Sequence, residues 1–446
     1  MDPATIGLLA FGLMLVLLAM RVPIAFALIG VATLAAFTIF AFRTGTFMPE
    51  RAIRATSSLV FSNSFDLVHS FDLSMIPLFV ALGNIAYRAG ITTAVYNSAK
   101  VWLVRQRGGL AVASVMGCGG FSAITGSSLA CASTMGKICT PEMLRLGYDP
   151  RLATASVAAG GTLGSLIPPS ILFIIYAIFT ETSVSKLFLA GVLPGLLTLA
   201  GFVLVIWVWI RVNPKLVPEQ GAAASWSEKM AAARDAWPAG LIFAIIVVGI
   251  YGGFFTATAA AAVSVVITTM IGFAQKRLTL QGLWEAVRET CVQTSAIFIV
   301  AAGAKIFVAA IALTGMAPAL VQTVADAQLS PMVLLICICC VYLMLGMFLD
   351  PIGIMVLTLP LVVPLVESYG MNLIWFGVVV VKLLEIGLIT PPVGLNVFVL
   401  SNVVGKAAPI GTVFAGIWRF LCVDVVVLAL IVGFPSISLV LSMTAR

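Results

Sequence analysis

Long apolar runs recur along this chain and constrain its fold more than any other feature. Only 9% of its residues are charged and 61% are apolar, whereas a soluble domain carries roughly 25% charged residues. At roughly 20 residues for each crossing of a bilayer, the apolar residues predict about a dozen spans. Backbone groups inside a bilayer must pair internally, and the runs lack the alternation of a membrane barrel. The sequence therefore predicts an all-α polytopic membrane protein and excludes a soluble enzyme and a disordered scaffold.

Net charge, cysteines and the N-terminus fit this class. Basic residues gather in the loops of membrane proteins, and this explains the net charge of +7. We therefore expect no binding to nucleic acid. The eight cysteines lie in apolar runs without the paired spacing of a metal or redox site, so we expect them to be packing residues. The first apolar run has no basic leader and no cleavage pattern, which predicts a retained first span.

A polar connector near the middle divides the chain into two halves. Residues 212–236 combine Pro, Gly and charges, and they separate a first half, 1–211, from a second half, 237–446. An ungapped offset of 223 positions (141 to 364) superimposes Gly and Pro residues, which set backbone geometry. The matched pairs are Pro141 with Pro364, Gly147 with Gly370, Gly164 with Gly387, and Pro168-Pro169 with Pro391-Pro392. The sequence therefore predicts an internal repeat.

The first half contains a predicted re-entrant hairpin. The apolar run from Leu110 to Leu146 is too short for two full spans and a turn, and residues 125–128 at its centre read TGSS. Irregular backbone at such a depth is tolerated only where it is buried in protein or lines a wet cavity. Segments interrupted by Gly and Pro at matching positions of two repeats point to the binding site of a transporter.

The span that follows is predicted to unwind within residues 160–170, GGTLGSLIPPS. Its glycines relax a helix and its prolines remove amide donors. The freed carbonyls and nearby hydroxyls supply neutral oxygens, which a small cation such as Na⁺ prefers. The predicted cation ligands of this half are Ser127, Ser128, Gly161, Thr162 and Gly164. The predicted substrate-binding residues are Gly126, Ser128, Ser170 and Asn396.

The second half repeats the plan in GMFLDPIGIMVLTLP and LLEIGLITPPVGLN, where the predicted cation ligands are Asp350, Gly387 and Thr390. Buried acids are costly in a membrane, so Asp350 and Glu385 are candidates for a functional role. Asp350 is equally expected to cap a helix. For Glu385 the alternative is an ion pair with Lys382 or Lys305.

Other polar residues have simpler explanations. Thr390 and Ser170 are candidates for hydrogen bonds to a helix carbonyl. His69 is expected to be an interfacial residue. Lys305 and Lys382 are more readily explained by snorkelling to the interface than by attraction of an anionic substrate. The sequence has no phosphate loop, no metal-ligand cluster and no nucleophile elbow, so we expect no enzyme.

Three polar segments, 43–72, 91–107 and 281–290, carry apolar residues at helical spacing. We expect them to be helices that lie along the membrane interface and brace the spans.

The motifs around the predicted interruptions resemble a known family. AITGSSLACASTMGKICTPEMLRLGYDPRLATASVAAGGTLGSLIPPS and GMFLDPIGIMVLTLPLVVPLVESYGMNLIWFGVVVVKLLEIGLITPPVGLN resemble the large membrane subunit of tripartite ATP-independent periplasmic (TRAP) transporters. The resemblance extends over essentially the whole chain. It implies an elevator transporter of the bacterial inner membrane, with two inverted repeats, a scaffold and a mobile transport domain.

The resemblance also implies partners, a coupling ion and a division of the chain. Such subunits work with a small four-helix membrane subunit and a soluble periplasmic substrate-binding protein, and they import organic acids, sialic acid and C4-dicarboxylates among them, with Na⁺. The implied divisions are scaffold helices at 1–107 and 237–290, a hairpin and broken helix at 108–180, a connecting span at 186–211, transport elements at 291–400 and a last span at 411–441.

One block departs from the family, and two alternatives stay open. The second repeat of the family commonly opens with Thr-Pro-Thr-Glu-Ala, whereas residues 256–260 read TATAA here. The missing acid makes a role for a carboxylate at this position doubtful. Proton coupling through Asp350 and Glu385 is the alternative to Na⁺, and a membrane-embedded enzyme is the remaining one.

Overall fold

The structure, a computed structural model, describes residues 3–42, 47–218 and 224–444. Its regular elements in these ranges are all helical, which confirms the all-α class. In chain order the α-helices are α1 (Pro3–Ala19), α2 (Ile24–Phe42), α3 (Pro49–His69), α4 (Met75–Arg88), α5 (Ile91–Leu103), α6 (Gly109–Thr125), α7 (Ser128–Arg145), α8 (Pro150–Leu166), α9 (Ile171–Thr180), α10 (Val184–Val212), α11 (Trp226–Tyr251), α12 (Ala257–Ala274), α13 (Leu280–Thr314), α14 (Met316–Asp326), α15 (Pro331–Gly346), α16 (Pro351–Ser368), α17 (Leu373–Ile389), α18 (Leu395–Val404), α19 (Ile410–Gly433) and α20 (Ser436–Thr444).

Membrane-spanning length is reached by fewer helices than the apolar composition predicts. Within the described ranges, eight helical segments are long and apolar enough to cross a bilayer, α8 and α9 counting as one. A ninth is reached if α3 and α4, which bend by 57° at their junction, form one span. Further apolar residues fill the shorter helices α1, α6, α15 and α18, so the estimate of about a dozen spans stays a prediction. The chain is a multi-pass membrane protein.

The helix boundaries of the two halves coincide at the offset of 223 positions (128 to 351). Helix α7, Ser128–Arg145, falls on α16, Pro351–Ser368. Helix α8, Pro150–Leu166, falls on α17, Leu373–Ile389. The short helices that follow, α9 and α18, both have 10 residues. The offset thus matches elements as well as residues, while the inverted orientation of the halves stays a prediction.

Only part of the predicted connector, residues 212–236, lies between helices, because its last residues belong to α11. Helix α11 begins at Trp226, where the side chain of Ser225 accepts a hydrogen bond from the Glu228 N–H and the Glu228 side chain accepts one from Ser225. The start of the connector is packed, since Leu216 is buried and its carbonyl accepts a hydrogen bond of 2.8 Å from the backbone of Asp149. Residues 219–223 lie outside the described residues. Reciprocal capping explains the early helix start.

The predicted interfacial segments have three outcomes. Residues 91–107 contain the helix α5, and residues 43–72 contain α3, with 43–46 outside the described ranges. Residues 281–290 do not form a separate helix, because α13 runs unbroken through them for 35 residues. A polar N-terminal segment therefore extends a membrane helix here. Whether α3 and α5 lie along the interface stays a prediction.

Two packed units hold the chain together. In the first, α8 lies at the centre and packs against α6, α7, α10, α17 and α19. In the second, the long α13 packs against α2, α3 and α4. The α6–α7 hairpin therefore packs on α8, whereas α16 of the second half contacts α13. The two units adjoin where α4 meets α6.

Candidate functional site

The tip of the α6–α7 hairpin is a tight turn that ends one helix and caps the next. Helix α6 ends at Thr125, and Gly126 follows with a φ of 63°, a left-handed conformation that favours glycine. Ser127 is extended, and its hydroxyl accepts a hydrogen bond of 3.4 Å from the Ala130 N–H at the start of α7. A Cβ atom at Gly126 would lie 2.3 Å from the carbonyl oxygen of Pro169. Glycine is required there because the tip contacts the break between α8 and α9.

The break itself lies at the proline pair. Helix α8 continues through its glycines to Leu166, and α9 begins at Ile171 after irregular backbone. The Ile171 N–H donates to the carbonyl of Gly126 at 3.3 Å, so the hairpin tip and the break are hydrogen-bonded. The Ser170 hydroxyl accepts a bond of 3.3 Å from the Phe173 N–H and thereby caps α9. The alternative that Ser170 bonds back to a helix carbonyl is wrong.

The expectation that Gly161 and Gly164 unwind the helix is also wrong, because both lie inside α8. Their role is close packing. A Cβ at Gly161 would lie 3.0 Å from that of Ala132, and a Cβ at Gly164 would lie 2.7 Å from the carbonyl carbon of Ser127. The absent side chains let the first turn of α7 lie directly on α8.

This close packing brings three neutral oxygens together. The Ser128 hydroxyl lies 2.6 Å from the Ser165 hydroxyl and 3.2 Å from the carbonyl oxygen of Thr162. The Ser128 side chain is buried. The Thr162 hydroxyl donates to the Ala159 carbonyl at 2.7 Å, so Thr162 offers its carbonyl to the cluster. Ser165 was not among the predicted ligands, although it follows Thr162 by three residues and therefore shares its helix face.

The corresponding tip in the second half contains Asp350. Its carboxylate accepts a hydrogen bond of 3.0 Å from the Gly353 N–H, which confirms the capping role. The Thr390 hydroxyl donates to the Ile386 carbonyl at 2.6 Å, which confirms the predicted hydrogen bond to a helix carbonyl. A Cβ at Gly387 would lie 2.7 Å from the Cα of Gly346, so α15 and α17 also touch through glycine. Cation binding by Asp350, Gly387 and Thr390 stays a prediction.

Asn396 joins the two halves. Its side chain is wholly buried, and its Nδ2 donates to the carbonyl oxygen of Ala158 in α8 at 3.4 Å. Its Oδ1 has no hydrogen-bond partner among the described residues. The second broken helix is therefore tied to the first.

A buried ionic cluster links α10, α17 and α19. The Lys382 ammonium lies 2.6 Å from a carboxylate oxygen of Asp424 and 3.6 Å from one of Glu385, and it donates to the Thr198 hydroxyl at 3.1 Å. All three ionisable side chains are wholly buried. The predicted pair of Glu385 with Lys382 is confirmed, and snorkelling of Lys382 is wrong because its partners lie inside the protein. Asp424 was not predicted, although an acid inside the apolar run 411–441 is unusual enough to indicate a specific role.

A cavity of about 620 Å³ opens beside the tip of the α6–α7 hairpin. Thr125 and Ser127 of the tip line it, as does Ile171 at the start of α9. Residues of α4 and α13 also line it, including Asn84 and Gln293. The cavity is therefore lined by both packed units. Gly126, Ser128, Ser170 and Asn396 are not among the residues that line it, and their contact with a substrate stays a prediction.

The lining of the cavity includes one carboxylate. Glu289 of α13 lines the cavity, and Arg88 of α4 donates to its Oε1 at 2.8 Å. Arg88 also pairs with Glu285, one turn earlier in α13, so two acids share one guanidinium. This cluster joins α4 to α13 and carries a net charge of −1 when every member is ionised.

The sequence and the fold are similar to those of known membrane transporters. The chain is 35% identical over 84% of its length to the C4-dicarboxylate TRAP transporter large permease protein DctM of Pseudomonas aeruginosa, of which it covers 87%. It is 32% identical over 83% of its length to the ectoine TRAP transporter large permease protein TeaC of Halomonas elongata, of which it covers 86%. The solved structure of the Alcanivorax borkumensis YdaH transporter superimposes on 86% of this chain and 90% of its own, with a TM-score of 0.60 at 15% identity.

The family follows from a match over nearly the whole chain. Residues 11–437 match the profile of the tripartite ATP-independent periplasmic transporter, DctM component. The likeness to YdaH supports the fold alone, because the sequence identity is low. The chain belongs to the DctM family, the large permease subunits of TRAP transporters.

Proposed function

We propose that this chain is the translocating subunit of a Na⁺-coupled importer of small organic acids in the bacterial inner membrane. The observation that carries the proposal is the cavity between the two packed units. Ser127 and Ile171, which line it, lie at the N-terminal ends of α7 and α9. Helix N-termini stabilise negative charge through the helix dipole, which acts even where cap residues accept from some of the first N–H groups. A substrate carboxylate binds at this end of the cavity.

Na⁺ binds next to that end. The Ser128 hydroxyl, the Ser165 hydroxyl and the Thr162 carbonyl form a buried set of neutral oxygens directly behind Ser127. Interrupted helices use such oxygens to coordinate Na⁺ in other transporters. Asp350, Gly387 and Thr390 provide the corresponding second position. Binding of Na⁺ there stabilises the hairpin against α8 and thereby organises the substrate end of the cavity.

The proposed substrate class, small organic acids, rests on the family. The family does not fix the net charge of the substrate. Two relatives are named for transport of C4-dicarboxylate and of ectoine. A dicarboxylate is a dianion, whereas ectoine is a zwitterion. What the two share is a carboxylate, which suits the helix N-termini of the cavity.

Movement and partners follow the division into two packed units. The unit around α8, which contains the α6–α7 hairpin, moves as the transport domain together with the α15–α16 hairpin. The unit around α13 stays as the scaffold. A small membrane subunit packs on the scaffold, where α3 exposes the apolar side chains Phe61, Phe65 and Val68. A periplasmic binding protein delivers the substrate across both units.

Uptake by the reconstituted three-component transporter tests the proposal. Proteoliposomes receive a Na⁺ gradient or a proton gradient separately, with a panel of labelled organic acids. We expect accumulation only with inward Na⁺. Accumulation driven by a proton gradient without Na⁺ would establish the alternative coupling through Asp350 and Glu385. Absence of uptake of any organic acid under both gradients would refute the proposed function.

A further inference from the structure

The lining of the cavity beside the α6–α7 hairpin combines two helix N-termini with one carboxylate. The helix N-termini are the starts of α7 and α9, at Ser127 and Ile171, where the helix dipoles are positive. The carboxylate is that of Glu289. Among the described residues that line the cavity, Glu289 is the only charged one, and none is basic. The only formal charge of this lining is therefore negative.

The nearest guanidinium does not reverse this charge. Arg88 lies outside the lining of this cavity and is held by two carboxylates, those of Glu285 and Glu289. An anionic group that took Arg88 as its partner would have to displace one of these carboxylates. The displaced carboxylate would then remain beside the bound anion, and like charges at close range repel. The Arg88 pair thus leaves this wall unsuited to a second carboxylate.

The exposed part of Glu289 suits a cationic donor. Arg88 occupies its Oε1, and its Oε2 has no hydrogen-bond partner among the described residues. Half of the side chain is accessible, at 48%. A primary or secondary ammonium, or an amidinium, would donate to Oε2 while a carboxylate of the same molecule lay at the helix N-termini. Hydrogen bonds between charged groups are the strong ones in proteins.

The geometry points to a zwitterion as the substrate of this cavity, with Glu289 as the residue that selects its cationic group. The inference rests on the proposed function and narrows its substrate class. A small organic acid that carries one carboxylate and one cationic nitrogen is bound in preference to the dicarboxylate of the same length.

Matched pairs of compounds test the inference on the solubilised complex of both membrane subunits. Each pair differs only in the replacement of one carboxylate by an ammonium group: succinate with β-alanine, and glutarate with 4-aminobutyrate. Ectoine is added as a cyclic zwitterion. Thermal unfolding is followed in NaCl, because a ligand that binds the native state raises the unfolding temperature. We expect a larger rise with the zwitterions than with their dicarboxylate partners.

Two variants of the same ionic cluster distinguish a role of Glu289 in substrate selection from a role in protein stability. Glu289→Gln removes the carboxylate that lines the cavity, whereas Glu285→Gln removes the second partner of Arg88, which lies outside that lining. We expect Glu289→Gln to weaken zwitterion binding about tenfold, the loss of one charge-assisted hydrogen bond. We expect Glu285→Gln to keep the preference.

The measurements distinguish failure of this inference from failure of the proposed function. A larger rise with the dicarboxylates, or no rise with any zwitterion, overturns the inference, as does an unchanged preference in Glu289→Gln. Uptake of dicarboxylates alone in the proteoliposome assay would leave the proposed function intact and refute only this inference. If no organic acid is taken up there, the proposed function itself has failed.

Discussion

Lys382 of α17 and Asp424 of α19 form an ion pair of 2.6 Å in which both side chains are wholly buried. Glu385 lies farther from the ammonium, at 3.6 Å, and neither of its oxygens has a hydrogen-bond partner among the described residues. The two acids are therefore not equivalent. Asp424 is the close partner of the lysine, and Glu385 is the more distant one.

Removal of one partner of this pair is expected to be costly. Lys382→Met leaves two buried carboxylates without a counter-charge, and breaking a buried pair in this way costs about 3–5 kcal/mol. Asp424→Asn should destabilise less, because the amide still accepts from the ammonium. Unfolding of the purified complex in denaturant measures the order. The interpretation fails if Glu385→Gln, which keeps the close pair, destabilises as much as Lys382→Met.

The contact between Gly164 and Ser127 predicts a steric effect on transport. A Cβ at position 164 would lie 2.7 Å from the carbonyl carbon of Ser127, a separation that requires the backbone to shift. Gly164→Ala should therefore push the hairpin tip away from α8 and lower the maximal uptake rate at least tenfold. Gly240→Ala in α11 is the matched control, because no atom lies within 4 Å of its added Cβ. Equal uptake by both variants at equal expression would contradict this account.

These glycines show what the sequence could and could not predict. The match of Gly164 with Gly387 located the elements correctly, since the aligned positions define the same helix boundaries in both halves. Their function was misjudged. A glycine in an apolar run fits a loosened helix as well as a close helix contact, and only the position of the neighbouring helix distinguishes the two.

At the candidate site, too, some residues could be predicted from the sequence and others could not. A seryl tip and a Pro-Pro break are local signals, so the hairpin residues were predicted. Ser165, Asp424 and Glu289 were not, because each acquires its role from a partner on another helix: Ser128 of α7, Lys382 of α17 and Arg88 of α4. Long-range pairs of this kind leave no pattern in one sequence.

Loss of one hydroxyl from the oxygen cluster is expected to weaken Na⁺ dependence more than folding. Ser128→Ala and Ser165→Ala each remove one of the three oxygens of the cluster, in which the Ser128 hydroxyl lies within 3.2 Å of the other two. The Na⁺ concentration for half-maximal uptake should rise about five- to tenfold, as for the loss of a hydrogen bond worth roughly 1 kcal/mol or more.

The control for this prediction is Ser156→Ala in the same helix. The Ser156 hydroxyl is equally buried but donates only to the Ala153 carbonyl, at 3.2 Å. Its Na⁺ dependence should match that of the wild type. If Ser128→Ala and Ser165→Ala also match the wild type while expressing normally, the cation site lies elsewhere in the chain.

Relative motion of the two packed units can be tested where α4 touches the hairpin tip. A Cβ at Gly83 would lie 3.1 Å from that of Thr125, close to the separation that a disulfide bridges. Gly83→Cys with Thr125→Cys should abolish uptake on oxidation, and a reductant should restore it. Ala89→Cys with Gly272→Cys is the control, because it joins α4 to α12 on the scaffold side across a similar 3.1 Å. That crosslink should leave uptake intact. Full uptake by the oxidised Gly83–Thr125 pair would mean that α4 and the hairpin move together, and the division into scaffold and transport domain would then be wrong.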